Sequence, residues 1–413
     1  MKAQETIRDD GLHIITCKVP SKKVYVGLVA GVGSAYDTSH LRGLFHYFEH
    51  MAFKGTHVRT VEEIHSFSRR NILSKNASTG QLDTIYDGIA IYKKFPQLCE
   101  LLCDLYFNSI FPEEELEREK EVILNEIVRN RDKENYAATE KMRKILWQYN
   151  PLRISGVGTL EGVSNINRAI LMAAKEKWYV PSNTIAVAAG NIDHNEFVKE
   201  LKRHIPENNI SVSHLAWSDE YDTLPSQQEV IIERPHQEKV TIIFTCKFPL
   251  YADERDQAIS HFLQYAMIAG PGSIVWKELR EKRGLAYNLS GGITNARPLG
   301  SYFSLYVETL PNRIDVVREL VLRILFQPFT DKNVFEETKE YIGDWLSLGY
   351  ENLDDWTYMV RASLQQGKTL KSTERHFSVL RKIISSITLD EVEKLRSATL
   401  IPERFVTVVV KPV

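Results

Sequence analysis

The chain has 413 residues, more than a single hydrophobic core normally serves, so two domains of roughly 200 residues each are expected. Apolar residues make up 43% and charged residues 26%, which excludes an extended disordered protein. With 52 Lys and Arg against 54 Asp and Glu there is no global field to gather nucleic acid or anionic lipid, and no uninterrupted apolar run reaches the ~18 residues of a membrane span.

Residues 12–19 and 24–32 are rich in Val and Ile and flank turn residues Pro20 and Ser21, which predicts two strands paired antiparallel. A helix is expected over residues 41–53, capped by Ser39 and ended by Gly55. On it stands His46-Tyr47-Phe48-Glu49-His50. Residues four apart lie one turn above each other, so both imidazoles can address one ion while Glu49 sits on the neighbouring edge. This H-x-x-E-H order is the inverzincin signature, and a catalytic zinc takes three protein ligands and keeps one position open. The third ligand must come from elsewhere in the chain.

Residues 76–92 alternate as strands do, and helices are predicted over 95–110 and 112–131, the second opening with Pro112 and acidic residues. Most glutamates between 113 and 121 suit a solvated helix N-terminus. Glu119 and Glu126, seven apart, share a face with apolar neighbours Ile123 and Ile127, and a glutamate turned inward there needs a partner such as a metal. Glu126, at the far end of the helix, is the residue singled out on that ground. A strand over 184–189 closes the first half.

That ending recurs. Ser164-Asn165-Ile166-Asn167 opens a helix running to Trp178, and Pro181 precedes a strand; Ser385-Ser386-Ile387-Thr388 and Pro402 repeat the pattern at the same spacing. Strands at 229–233 and 240–247 are expected to form a pair like the first. The polar stretch 206–228 reads as a linker, giving a first half over 1–209, a linker over 210–226 and a second half over 227–413. The predicted class is α+β, two homologous α/β halves, each a mainly antiparallel sheet packed with helices. Gly31-Val32-Gly33 lacks the third glycine of a dinucleotide loop, and Gly270-Pro271-Gly272 lacks the Lys of a phosphate loop. The four cysteines form no CxxC pair, which favours a reducing compartment, and the N-terminus resembles neither a secretory nor a mitochondrial signal, so a cytoplasmic location is expected.

The stretch from Gly43 to Thr56 resembles the metal-binding helix of the pitrilysin and mitochondrial processing peptidase family, with Phe45 and Tyr47 where smaller residues are usual. The motifs follow in family order over nearly the whole chain, whose size is similar to the smaller bacterial two-domain members. The resemblance implies that His46, His50 and Glu126 hold one Zn2+ per chain and that Glu119 orients a ligand. It implies that Asn76, Ala77, Ser78 and Thr79 lie on an edge strand to which a peptide pairs, and that Arg280 and Tyr287 reach the bound peptide. The expected activity is a zinc metalloendopeptidase acting on peptides or unfolded segments inside a closed chamber. Glu49 is its general base, and Tyr287 or Arg280 steadies the oxyanion. A homodimer is expected, with Arg280 and Tyr287 serving the partner's zinc. The competing reading is a non-catalytic peptide-binding scaffold or partner subunit; such relatives typically lose ligand residues, and here all of them are present.

Overall fold

The Val- and Ile-rich runs near the N-terminus become β2 (His13–Lys18) and β3 (Lys23–Ala30), preceded by β1 (Lys2–Ile7). The computed structural model describes residues 2–215, 225–235, 238–348 and 379–413. Within these, residues 2–129 and 155–215 pack as one unit, and the described parts of 130–154, 225–348 and 379–413 as another.

In the first unit β4 (Ser74–Thr79), β5 (Thr84–Ile91) and β6 (Thr184–Gly190) join the sheet in the order β1-β2-β6-β3-β5-β4. The expected pairing of β2 with β3 does not form. β6 lies between them, parallel to β2 with His13 opposite Ile185, and antiparallel to β3 with Leu28 opposite Ala186. The reason is burial: β6 is Thr-Ile-Ala-Val-Ala-Ala-Gly and almost wholly enclosed, as a strand covered on both faces must be. Residues 19–22 therefore step across a strand instead of closing a hairpin.

The helices of this unit are α1 (Leu44–Met51), α2 (Val61–Asn71), α3 (Phe95–Phe107), α4 (Glu113–Asp132), α6 (Leu160–Ser164), α7 (Arg168–Trp178) and α8 (His194–His204); α5 (Glu134–Leu146), between α4 and α6 in the chain, packs with the other unit. Phe95, Leu98, Leu102 and Tyr106 of α3 pack into one core with Val24, Val26 and Leu28 of β3 and Tyr86 of β5. Full burial of each such side chain stabilises the fold by about 1.5–3 kcal/mol. Cys99 and Cys103 share this buried face of α3 as free thiols.

The second unit has β7 (Gln228–Arg234), β8 (Val240–Lys247), β9 (Asn288–Asn295), β10 (Ser301–Thr309) and β11 (Val406–Pro412), in the order β7-β11-β8-β10-β9. Its helices are α9 (Glu254–Met267), α10 (Ile274–Trp276), α11 (Ile314–Phe326), α12 (Lys332–Leu348) and α13 (Leu389–Thr399). The predicted β7 and β8 pair is split by β11, parallel to β7 and antiparallel to β8, as β6 splits the first. A constant offset of 221 residues relates the caps Asn167 and Thr388, the helix ends Trp178 and Thr399, and the turn prolines Pro181 and Pro402. The molecule is thus two α/β units, each a mixed sheet packed with helices.

Residues 130–154, expected with the first half, pack with the second unit. Trp147, just past α5, is fully buried there under Lys247, whose Nζ lies 4.3 Å from the ring centre. A Cβ on Gly300 would come within 2.4 Å of the same ring, so that glycine is what lets the indole in. No helix among the described residues is long and apolar enough to cross a membrane.

Candidate metal centre

The helix that carries the histidines begins three residues later than the sequence suggests, at Leu44, with Gly43 in the left-handed region at φ 104°. Ser39 does not cap it. Asp37 does, accepting hydrogen bonds from the backbone N–H of Gly43 at 2.7 Å and of Phe45 at 3.2 Å. Burial pushes the Asp37 carboxyl up to about 7, although those N–H groups pull the other way. A Cβ at Gly43 would stand 2.9 Å from Val163 Cγ2 and 3.0 Å from the Val157 carbonyl, so conformation and space both require glycine.

One side of α1 faces the core through Leu44, Phe45, Tyr47, Phe48 and Met51. Phe48 stacks on Tyr179 with ring centres 4.0 Å apart. Phe45 and Tyr47, the two unusual residues of the motif, are fully buried, and the Tyr47 hydroxyl donates to the Leu116 carbonyl of α4. Their extra bulk therefore fills the core behind the helix and ties α1 to the helix bearing Glu119 and Glu126.

The opposite side presents His46, Glu49 and His50. The two imidazole centres are 4.7 Å apart, and Glu126 Oε2 lies 3.9 Å from His46 Nε2 and 4.0 Å from His50 Nε2. One ligand atom from each of these three residues falls within 4.8 Å of the others, and among the described residues no other group of His, Cys, Asp and Glu does so. A tetrahedral zinc with bonds of about 2.1 Å holds its ligand atoms about 3.4 Å apart, so the carboxylate closes on each imidazole by about half an ångström and no edge of the triangle closes by more than about 1.4 Å to grip an ion. Two imidazoles and one carboxylate are also the donor set that zinc takes, and the residues fit the group.

The protonation states agree. His50 Nδ1 is 2.8 Å from Glu119 Oε1; a carboxylate can only accept, so Nδ1 carries the hydrogen and the Nε2 lone pair is left facing Glu126. Lys54 Nζ, 2.6 Å from Glu119 Oε2, holds the other oxygen. Burial raises the Glu119 carboxyl, but the bonds from His50 and Lys54 outweigh it and bring the group below its ordinary value, so it stays ionised. Burial pushes the His46 imidazole down to about 4, with His50 adding to the push and Glu126 and the Val157 carbonyl opposing it. His46 is neutral at pH 7, as a ligand must be, and its buried Nδ1 makes no hydrogen bond of normal geometry among the described residues.

Glu49 is raised by burial, against the pull of Thr79 and His50. Thr79 Oγ1 donates to Glu49 Oε2 at 2.5 Å. Thr79 ends β4, the terminal strand of its sheet, whose outer edge meets no other strand among the described residues. Along β4, Asn76 is exposed, while Ala77, Ser78 and Thr79 are half-buried and Ala77 packs against the core.

Arg280 and Tyr287 belong to the second unit. Arg280 lies on a π-helical turn, Lys277–Glu281, with its guanidinium 4.7 Å from the Trp276 ring centre and donating to the Tyr287 carbonyl at 3.2 Å. Tyr287 is 57% exposed, and both side chains are open to solvent within their unit. Arg283 is tied to Glu278. Sequence reasoning missed Asp37 and Lys54. The one signal available was Lys54 four residues past His50; Asp37 reaches α1 from a loop and carries none.

An insulinase (peptidase family M16) domain matches residues 13–160, and a peptidase M16 inactive domain matches residues 165–341. A protein of Rickettsia bellii named an uncharacterized zinc protease is 27% identical over 393 residues, 93% of this chain and 89% of that one. One of the same name from Rickettsia felis is 28% identical over 312 residues, 75% of this chain and 74% of its own length. Among solved structures, a protease from Helicobacter pylori superposes with a TM-score of 0.90 at 16% identity, covering 100% of both chains. A peptidase M16 inactive domain from Pseudomonas fluorescens gives a TM-score of 0.89 at 16% identity over 100% of this chain and 98% of that one. At these identities the solved structures speak for the fold alone.

Proposed function

The chain belongs to the insulinase (M16) family of peptidases, and from that premise we propose that it is a zinc metalloendopeptidase in which His46, His50 and Glu126 hold the metal and Glu49 is the general base. The observation that carries this reading is the convergence of the three ligand atoms within 4.8 Å of one another. Names such as zinc protease among the relatives support it.

Zinc bound by these residues supplies Lewis-acid polarisation of the scissile carbonyl and lowers the pKa of a water bound to it. The rest falls to the chain. Glu119 keeps His50 in the tautomer that leaves Nε2 free to coordinate. Glu49, one residue before His50, takes a proton from the attacking water and passes it to the leaving amine; its carboxyl, raised by burial, is suited to both halves of that task. The open edge of β4 at Asn76, Ala77 and Ser78 offers main-chain donors and acceptors to an extended peptide, which fits binding with little side-chain specificity. Arg280 and Tyr287 are assigned to the bound peptide and the oxyanion.

The wider reading follows the same line. The substrates are peptides or unfolded segments admitted to a closed chamber, and the active form is a cytoplasmic homodimer with one zinc per chain. Residues 1–209, apart from 130–154, which pack with the second unit, form the catalytic half, 210–226 the linker and 227–413 the half that contributes substrate contacts. Elemental analysis with turnover of a quenched peptide tests the core of it. The expected result is one zinc per chain, activity lost on chelation and restored by zinc, and a Glu49→Gln protein that binds zinc without turnover. An active Glu49→Gln protein removes Glu49 from the chemistry, and a protein that takes up no zinc ends the reading.

A further inference from the structure

We propose that Thr79 is the positioning residue of the general base: its hydroxyl fixes the Glu49 carboxylate, so the strand that receives the peptide also aims the base. This rests on the peptidase reading above. The sequence groups Thr79 with the peptide contacts, but the structure turns its side chain elsewhere. Residues two apart on a strand share a face, and Thr79 shares that of Ala77, which packs against the core. From there Thr79 Oγ1 reaches α1 twice, lying 2.5 Å from Glu49 Oε2 and 3.3 Å from the Phe45 carbonyl. The main chain of Thr79, opposite Thr84 of β5, remains part of the edge strand.

A threonine hydroxyl has one hydrogen and two lone pairs. Facing a carboxylate, that hydrogen goes to Glu49, the nearer acceptor. The proton that Glu49 takes in the reaction goes to Oε1, the oxygen that Thr79 does not hold, and leaves from there to the amine, while the threonine hydroxyl keeps donating to Oε2 in both states. Glu49 is then hydrogen-bonded in the same place before and after the transfer, and no other residue needs to move. A glutamate side chain has three rotatable bonds, and this contact removes that freedom where the geometry of attack demands it. A charge-assisted hydrogen bond is strong enough that its loss should be visible in the chemical step.

The test compares wild type, Thr79→Val, which keeps the branched shape and loses the hydroxyl, and Thr79→Ser, which restores it. Zinc content, affinity of the chelated protein for a fluorescein-labelled peptide, kcat and KM are measured on each. The expected result for Thr79→Val is one zinc per chain, peptide affinity and KM within about twofold of wild type, and kcat lower by about 10- to 100-fold. Thr79→Ser should recover most of that kcat. Full kcat in the valine protein overturns the proposal while leaving the peptidase reading intact. Loss of peptide affinity by more than about tenfold in the chelated valine protein also overturns it, since Thr79 would then be a substrate contact. A wild-type protein that binds zinc and peptide but cleaves nothing refutes the peptidase reading itself, and that outcome is separate from either result for the variant.

Discussion

Glu119 touches no ligand position itself, yet it decides which nitrogen of His50 is available. Its two oxygens are both used, one by His50 Nδ1 and one by Lys54. Glu119→Gln keeps the shape, but an amide can present its NH2 to His50 and it loses the charge that pairs with Lys54. Zinc affinity, measured by competition with a chromophoric chelator, should fall by about 10- to 100-fold; unchanged affinity would reduce Glu119 to a surface partner of Lys54. Asp37 gives the pH dependence at this scale. Its carboxyl is pushed up to about 7 by burial, from an ordinary 3.8. Between those values the folded protein binds more protons than the unfolded one, so stability contributed by this group is full below the lower value and is lost as pH rises through about 7. The zinc-free protein should melt at lower temperature at pH 8 than at pH 6, and Asp37→Asn should flatten that slope. An identical slope in the variant would assign the titration to another group.

At the scale of the element, α1 is a short helix held by its surroundings and not by propensity. Eight residues are too few for a helix to persist alone in water. Its geometry comes from the Asp37 cap, the left-handed Gly43 and the Tyr47 tie to Leu116. Gly43→Ala should cost at least about 1–3 kcal/mol in denaturant unfolding, from backbone strain, with the clash against Val157 and Val163 added to it. It should also weaken zinc binding, since the helix start must shift. A variant with wild-type stability and zinc affinity would mean the loop at Val157 yields freely. The sequence announced the parts that depend on near neighbours: the i, i+4 histidines, the shared face of Glu119 and Glu126, and the helix openings within 164–167 and 385–388, where Asn167 and Thr388 prove to be the caps. It could not announce what depends on distant ones. Ser39 looked like a cap because it has the right side chain at the right spacing, whereas Asp37 does the work through a folded loop. The pairings of β2 with β3 and of β7 with β8 looked local, and only the arrival of β6 and β11 from far along the chain separates them. Thr79 stood with the peptide contacts of the edge strand, and only β4 laid beside α1 brings its hydroxyl to Glu49.

At the scale of the molecule, the two units share one order of five strands, to which the first adds β1, and among the described residues carry one set of metal ligands. The second unit has no His-x-x-Glu-His and, among its described residues, no group able to hold an ion, so it is free to supply other groups. Arg280 and Tyr287, joined through the bond from Arg280 to the Tyr287 carbonyl, are its strongest candidates. If they act on the partner's zinc in a homodimer, a chain with Arg280→Ala still offers a sound zinc site, and a chain with Glu49→Gln still offers a sound arginine. Mixed at equal amounts and allowed to exchange, half of the dimers hold one of each chain. Each such dimer assembles one fully native site and one doubly defective site, so activity should rise to about a quarter of wild type from two nearly inactive parents, as the two-fold symmetry of the pair requires. Sites completed within a single chain give no recovery in the mixture, because every zinc site then lacks either its arginine or its base. Size-exclusion chromatography of the mixture shows whether dimers form at all, so that a lack of recovery can be assigned to sites within one chain and not to a monomer.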